Sequence, residues 1–426
     1  MIRLGLLVTA LLSASSIASL AAQSLARRVE SAPDGPVQFT FPARAGLCGN
    51  GRTWFSTGPG NIHGSWNETT RAEACESGPV RVVVNRADRV PISVETYVGP
   101  VSVSPGATDL GQVEAREAAE YLISIAARSE GRPGRDALTP AMLGDGPPPT
   151  DAILGIARDQ SRPRETRRGA ISWLGRVSDE EGGTISRRLT EALLAIARDE
   201  SDSQPVRKQA LSVLARLDRG DGIPALIELS RGASDVWLGK EAMSALARSG
   251  DPRARQYLRT AAERTDLPDD VRVSAIRGIG RAYATGQDAE FLRDLYPRLT
   301  SSGARTSIIS SLAEIGGSEN ARWLVGIAQR EGEPQDIRRR ALAGAQKAGA
   351  SVAELVRLYD GTRDAKLKES LIGIYAQSGE RTATDKLISI ARTEEDRALR
   401  RRAISRLSRS DDPRVKEALA QIVERP

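Results

Sequence analysis

The residues of this chain best equipped for chemistry stand close together near its start. His63 is its single histidine, and Cys48 and Cys75 are its only cysteines. A cysteine–histidine nucleophile needs a free thiolate beside the imidazole. One histidine cannot build a histidine-rich zinc site. No G-x-S-x-G or H-E-x-x-H pattern occurs anywhere. Two cysteines in an exported chain pair most simply as a disulfide, which removes the nucleophile. The loop between them closes with a stabilisation of about 3.5 kcal/mol from loop entropy. The same loop holds Trp54, Phe55, His63 and Trp66 among Gly-rich turns. Those aromatics read as the minicore of a small domain, with an exposed carbohydrate- or peptide-binding patch as the alternative. No catalytic residue, metal ligand or cofactor-binding residue is assigned, and the chain reads as a non-enzyme.

The other residues with functional potential are basic, and they recur. Arg167, Arg207, Gly239, Arg272, Arg305, Arg338, Lys368 and Arg400 stand at steps of 40, 32, 33, 33, 33, 30 and 32 residues. Three residues after each comes Ala170, Ala210, Ala242, Ala275, Ile308, Ala341, Leu371 or Ala403. Seven after comes Leu174, Leu214, Leu246, Ile279, Leu312, Ala345, Tyr375 or Leu407. This spacing places the basic anchor inside the apolar stripe of a helix, where a charge must be paired. Asp202, Asp235, Asp269, Asp270, Asp336, Asp364 and Asp396 stand in the turns nearby. The anchors therefore read as a structural ladder between layers.

A second column lies nine residues after each anchor: Arg176, Arg216, Arg248, Arg281, Glu314, Lys347, Gln377 and Arg409. The helical wheel puts it opposite the apolar stripe. Its basic members are the candidate partner-binding residues. Favourable charge at helix C-termini is the plainer account of them. Gly175, Ala215, Ala247, Gly280 and Ala313, eight residues after the anchor, let helices stack closely or floor a groove.

The elements that carry these columns are short helix pairs. In Glu191 to Leu217 one amphipathic segment ends in a Ser/Asp-rich turn. Pro205 then opens the next, with Val206, Ala210, Leu211 and Leu214 on one face. Neither segment buries its stripe alone, and a fixed period in the thirties marks an α-solenoid. The phrases QPVRKQALSVLARL, PDDVRVSAIRGIG, PQDIRRRALAGAQ, DRALRRRAISRLS and DPRVKEAL resemble the HEAT-repeat family over about residues 112–426. The resemblance implies a right-handed superhelix that binds macromolecules and performs no chemistry of its own. Gly239 and the 40-residue first step depart from the family pattern.

The expected fold is mostly α: a HEAT-like solenoid preceded by a small disulfide-linked β-domain. Residues 1–21 read as a secretory signal peptide, with Arg3, an apolar run from Leu4 to Leu12 and a small-residue site at Ser19 to Ala21. Residues 22–36 read as a flexible lead-in and 37–106 as the β-domain, with strands at Val37–Phe41, Val80–Val84 and Ile92–Val98. Residues 107–150 read as a divergent capping repeat and 151–426 as the repeats. The formal charge is +6, and +5 once Arg3 leaves with the signal, too small for wholesale nucleic-acid binding. The expectation is a bacterial periplasmic or secreted monomer with no membrane span after cleavage. It binds an unidentified protein partner in the cell envelope through the solenoid surface. The alternative is an anionic envelope polymer on the basic column.

Overall fold

The computed structural model describes residues 24–51, 54–56, 76–100, 103–181, 183–217, 220–231, 235–281, 283–410 and 412–424. The signal segment 1–21, Cys75, His63 and Trp66 lie outside the described residues. The chain divides into two compact units, Met1–Ala225 and Leu226–Pro426.

The first unit opens with helix α1 (Leu25–Ser31). Strands β1 (Gly35–Phe41), β2 (Leu47–Gly49), β3 (Trp54–Ser56), β4 (Val80–Ala87), β5 (Val90–Val98) and β6 (Thr108–Gln112) follow. Four of them form one sheet in the order β5-β4-β1-β6, with β1 antiparallel to β4 and parallel to β6. Apolar residues fill the two central strands: Val37, Phe39, Phe41, Val80, Val82 and Val84 are all buried. On the edge strand β5 only the C-terminal half is covered, and Val90 and Ile92 stay exposed. β2 and β3 make a separate two-stranded ladder that holds Cys48.

Two boundaries differ from the sequence expectation. The described part of the segment read as a flexible lead-in is a helix and the start of a strand. Leu25 and Val29, four residues apart, are buried. Arg28 donates to the Leu110 carbonyl, and the buried Arg86 donates to the carbonyls of Val29 and Ala32. Two guanidiniums thus tie this helix and its C-terminal turn to the sheet, and pin a helix too short to persist alone. The sheet also runs past residue 106, because β6 pairs with β1 and the Val113 amide bonds to the Thr40 carbonyl at 2.8 Å. Arg44 and Asp145 extend this through backbone bonds to Leu143 and Pro42, each 2.9 Å. Phe39 meets Tyr121 edge-on at 6.0 Å. The sheet and the 107–150 segment therefore share one core.

That segment forms α2 (Ala115–Arg128), α3 (Arg132–Asp136) and α4 (Leu138–Ala141). Pro133 suits the first turn of α3, and Pro140, which has no amide to donate, interrupts the helical ladder at α4. Among the described residues after 150, every element is helical. The first unit continues with α5 (Thr150–Arg158), α6 (Arg164–Glu181), α7 (Gly183–Arg198) and α8 (Gln204–Leu214), and α9 is Ile223–Arg231. The second unit holds α10 (Val236–Ser249), α11 (Pro252–Glu263), α12 (Asp269–Ile279), α13 (Gly286–Leu295), α14 (Ser302–Ile315), α15 (Ser318–Gln329) and α16 (Gln335–Ala348). It ends with α17 (Val352–Gly361), α18 (Ala365–Ser378), α19 (Arg381–Thr393), α20 (Arg397–Leu407) and α21 (Pro413–Glu424).

The helices pack in two files. α6 packs on α8 in the first unit; α10, α12, α14, α16, α18 and α20 pack in succession in the second. Most of these second helices also pack on their own first helix, as α16 does on α15, α12 on α11 and α20 on α19. Side-chain caps start many of them: Asp235, Asp251, Ser301, Asp364 and Asp396 accept from first-turn amides. The small column eight residues after the anchor is packing surface. A Cβ on Gly280 would lie 2.3 Å from the Ser311 Cβ, and one on Gly175 would lie 2.8 Å from Val213. Neighbouring second helices approach that closely only because those side chains are missing.

The cap of α13 has a measurable pH signature. Asp288 is buried and accepts from Arg259 at 2.6 and 2.9 Å and from the Thr285 amide and hydroxyl, both at 2.8 Å. Burial would raise its pKa, but the bonds from Arg259 and Thr285 outweigh it and hold the carboxyl below its usual range. A depressed folded pKa stabilises above the unfolded value of about 3.9 and is lost as pH falls through the folded value. Asp288→Asn should therefore cost about 1.5–3 kcal/mol at neutral pH. Thermal melts of the variant and wild type should begin to converge as pH falls past about 4 and meet only below the lowered folded value; a gap that does not narrow on acidification would contradict this.

Candidate partner-binding surface

Three basic anchors, Arg167, Arg207 and Arg338, are buried, and the rest are half-buried. Arg167, on α6, donates from Nε to the Ala157 carbonyl at 3.1 Å, at the end of α5. Its two terminal nitrogens meet both oxygens of Asp202 at 2.7 and 2.5 Å, in the turn before α8. The two side chains are only 5% and 3% exposed. Arg338 repeats this in the second unit, with the Ala328 carbonyl at 2.9 Å and Asp364 at 2.7 Å. Arg207 makes the same carbonyl bond, to Ala197 at 3.0 Å. One guanidinium thus joins its own helix, the frayed end of the helix before it and the next turn.

The remaining anchors vary on that plan. Arg305 bonds the Leu299 carbonyl at 2.7 Å and Glu333 at 3.1 Å. Lys368 reaches Glu394 at 3.2 Å, and Tyr359 donates a second bond to the same carboxylate at 2.6 Å. Burial alone would raise the pKa of Glu394, but those donors and the Asp396 amide hold it low. Arg400 donates to the Glu394 carbonyl at 3.1 Å. Arg272 has no acid in the turn ahead, which reads Thr300-Ser-Ser302. It sits 3.7 Å from Asp269 on its own helix, and its Nε is buried without a partner. The sequence reading thus found Asp202 and Asp364 but passed over Glu333 and Glu394. Asp235 and Asp396 cap helices, and Asp270 meets Lys240 on the surface at 3.0 Å.

The second column is exposed but uneven. Arg216, Arg248, Arg281, Lys347 and Arg409 are exposed at or beyond the ends of their helices. Arg176 is half-buried, with its guanidinium 4.7 Å from the Trp173 ring. Burial, and then the nearby Arg216 and Arg44, push its pKa down. In the second unit Lys347 is paired with Glu314 of the same column. The row is therefore neutralised partway along that unit.

One residue on this surface went unnoticed in the sequence. Tyr283 follows α12 with φ +73°, a left-handed backbone in which a tyrosine is strained. It is 62% exposed, the most open large apolar residue among those described. Its ring lies beside Gly250, which has no side chain to occupy that space. A depression of about 620 Å³ adjoins it, lined by Arg277, Gly280, Arg281, Ser310, Ser311 and Glu314. Among the described residues neither Arg277 nor Arg281 has a carboxylate partner. The readable signal was an aromatic in the helix-ending turn Gly280 to Gly286, in a chain with only 4% aromatics. In the first unit a more apolar cleft of about 400 Å³ lies between α2 and Pro147–Pro149, lined by Ala119, Ile123 and Met142.

Among the described residues, no group of His, Cys, Asp and Glu is placed to hold a metal ion. No described helix is long and apolar enough to cross a membrane. The HEAT repeats family matches residues 190–269, which run from the second half of α7 to the first residue of α12. A search of curated proteins finds no match to the chain. Among solved structures, human deoxyhypusine hydroxylase bound to glycerol is 16% identical, covering 57% of this chain and 96% of that one, with a TM-score of 0.28. The CpcE–CpcF complex of phycocyanin lyase from a Nostoc species is 17% identical over 64% of this chain and 94% of that one, with a TM-score of 0.28. Lipovitellin is 10% identical over 86% and 42%, with a TM-score of 0.45. Scores this low carry nothing on function, and the repeat assignment rests on the matched segment and the helix pairs themselves.

The two columns should respond differently to substitution. Arg338→Ala removes the ion-pair partner of Asp364, 17% exposed in the wild type, and leaves it only its bonds to the Lys366 and Leu367 amides, which should cost about 2–4 kcal/mol. Arg216→Glu, at an exposed position, should change stability by a few tenths of a kcal/mol. Urea melts of both variants decide this; an Arg338→Ala protein as stable as wild type would remove the ladder.

Proposed function

We propose that this protein is an exported helical-repeat scaffold, without chemistry of its own, that binds a protein partner through the exposed ends of its second helices. Tyr283 carries the reading. A strained, exposed tyrosine flanked by two arginines is the kind of residue set that dominates protein interfaces. The turn itself does not ask for a tyrosine, since glycine or asparagine would adopt that backbone with less strain. The neutralised stretch at Glu314 and Lys347 favours a protein over an extended anionic polymer, which would need an unbroken basic row. The partner resides in the cell envelope, and nucleic acid is not among the ligands.

Export rests on residues 1–21, and the Cys48–Cys75 disulfide rests on export. Non-reduced intact mass of the mature chain reads both. Loss of residues 1–21 and of two thiol hydrogens is the outcome that agrees. The binding claim is tested by capture from envelope extract with the mature protein as bait. A defined protein should be retained by wild type and lost with Tyr283→Ala, while melting stays unchanged. Retention of polysaccharide alone, or of the same protein by both baits, would overturn it.

A further inference from the structure

We propose that the depression beside Tyr283 receives an acidic, extended segment of the protein partner; this rests on the protein-binding reading above. Charge gives the sign of the ligand. Arg277 and Arg281 are both exposed on the same depression and, among the described residues, neither is engaged by an acid. The one carboxylate on its lining, Glu314, is held by Lys347. The free field is therefore positive, and two planar guanidiniums at one site favour carboxylates.

Shape gives the form of the ligand. The depression lies between the C-terminal halves of α12 and α14, which Gly280 and Ser311 bring into contact. Its floor is small and polar. Ser311 is buried and spends its hydroxyl on the Ile276 carbonyl at 3.1 Å, while Ser310 is exposed. An incoming helix would bring no free backbone groups to such a floor and needs an apolar groove. An extended segment brings donors and acceptors for Ser310, and its side chains can reach the arginines. Tyr283 and Ile315 supply the apolar contact, Tyr283 at one edge. A cavity of about 620 Å³ accommodates a few residues rather than a long polymer.

The test uses the mature full-length protein and short fluorescent peptides, followed by anisotropy. The probes are a Glu- and Leu-rich peptide, the same peptide with Gln for every Glu, a Lys-rich peptide, inorganic phosphate and heparin. The Glu peptide should bind at least about tenfold more tightly than its Gln counterpart, and more weakly as salt rises. The Arg277→Glu, Arg281→Glu double variant should lose the Glu peptide, gain the Lys peptide and melt within a few degrees of wild type. Tyr283→Ala should weaken binding without removing its salt dependence. Equal binding of Glu and Gln peptides would overturn the acidic assignment. So would displacement of the Glu peptide by phosphate alone, or tighter binding of heparin, which would make the ligand a small ion or a polyanion. A partner captured from extract that Tyr283→Ala loses but the double Glu variant keeps would sink this inference and leave the protein-binding reading standing. Capture unaffected by any of these variants would sink both.

Discussion

A basic residue at the first turn of most second helices, an arginine in six of the eight, holds the repeat together, and much else in the chain accommodates it. Its position in the apolar stripe makes it costly to bury alone. The guanidinium meets that cost with geometry: Nε faces a carbonyl left unpaired at the end of the preceding helix, and the terminal nitrogens face a carboxylate in the next turn. A lysine has no such fork, and where Lys368 takes the place a tyrosine hydroxyl supplies the missing bond to Glu394. Where the next turn has no acid, at Arg272, the bond to the following layer is absent.

Because stability is settled inside the stripe, the ends of the second helices are released for other work. Small residues at Gly175 and Gly280 let those helices touch, and the exposed positions beyond them vary in charge from unit to unit. Tyr283 stands where that freedom is greatest, exposed in a turn with left-handed backbone. A binding surface on such turns can change its partner without disturbing the layers beneath, as expected of repeat arrays whose contacts are between neighbours.

Periodicity made the helical part legible. The alternation of anchor, small residue and leucine reports burial directly, and burial is what fixes these helices. The strands at Val37–Phe41 and Val80–Val84 were legible for the same reason. What escaped was set by contacts distant in sequence. Leu25 to Ser31 is too short and polar to announce a helix, and it exists because Arg28 and Arg86 bond its neighbourhood to the sheet. β6 follows a region of glycine and proline and becomes a strand only beside β1. Glu333 and Glu394 were overlooked because aspartates, the better turn formers, stood nearby in sequence. Tyr283 could be noticed as an oddity, but its exposure and backbone strain belong to the folded turn alone.

The central claim is that the buried anchor and the acid of the next layer act as one unit. A double-mutant cycle on Arg167 and Asp202, with Arg167→Met and Asp202→Asn read by urea denaturation, tests it most directly. Each single change should cost about 3–5 kcal/mol, since each strands a buried charge. The double variant should cost no more than either alone, a coupling of at least about 3 kcal/mol. Costs that add to within about 0.5 kcal/mol would show the two side chains acting independently, and would contradict the account.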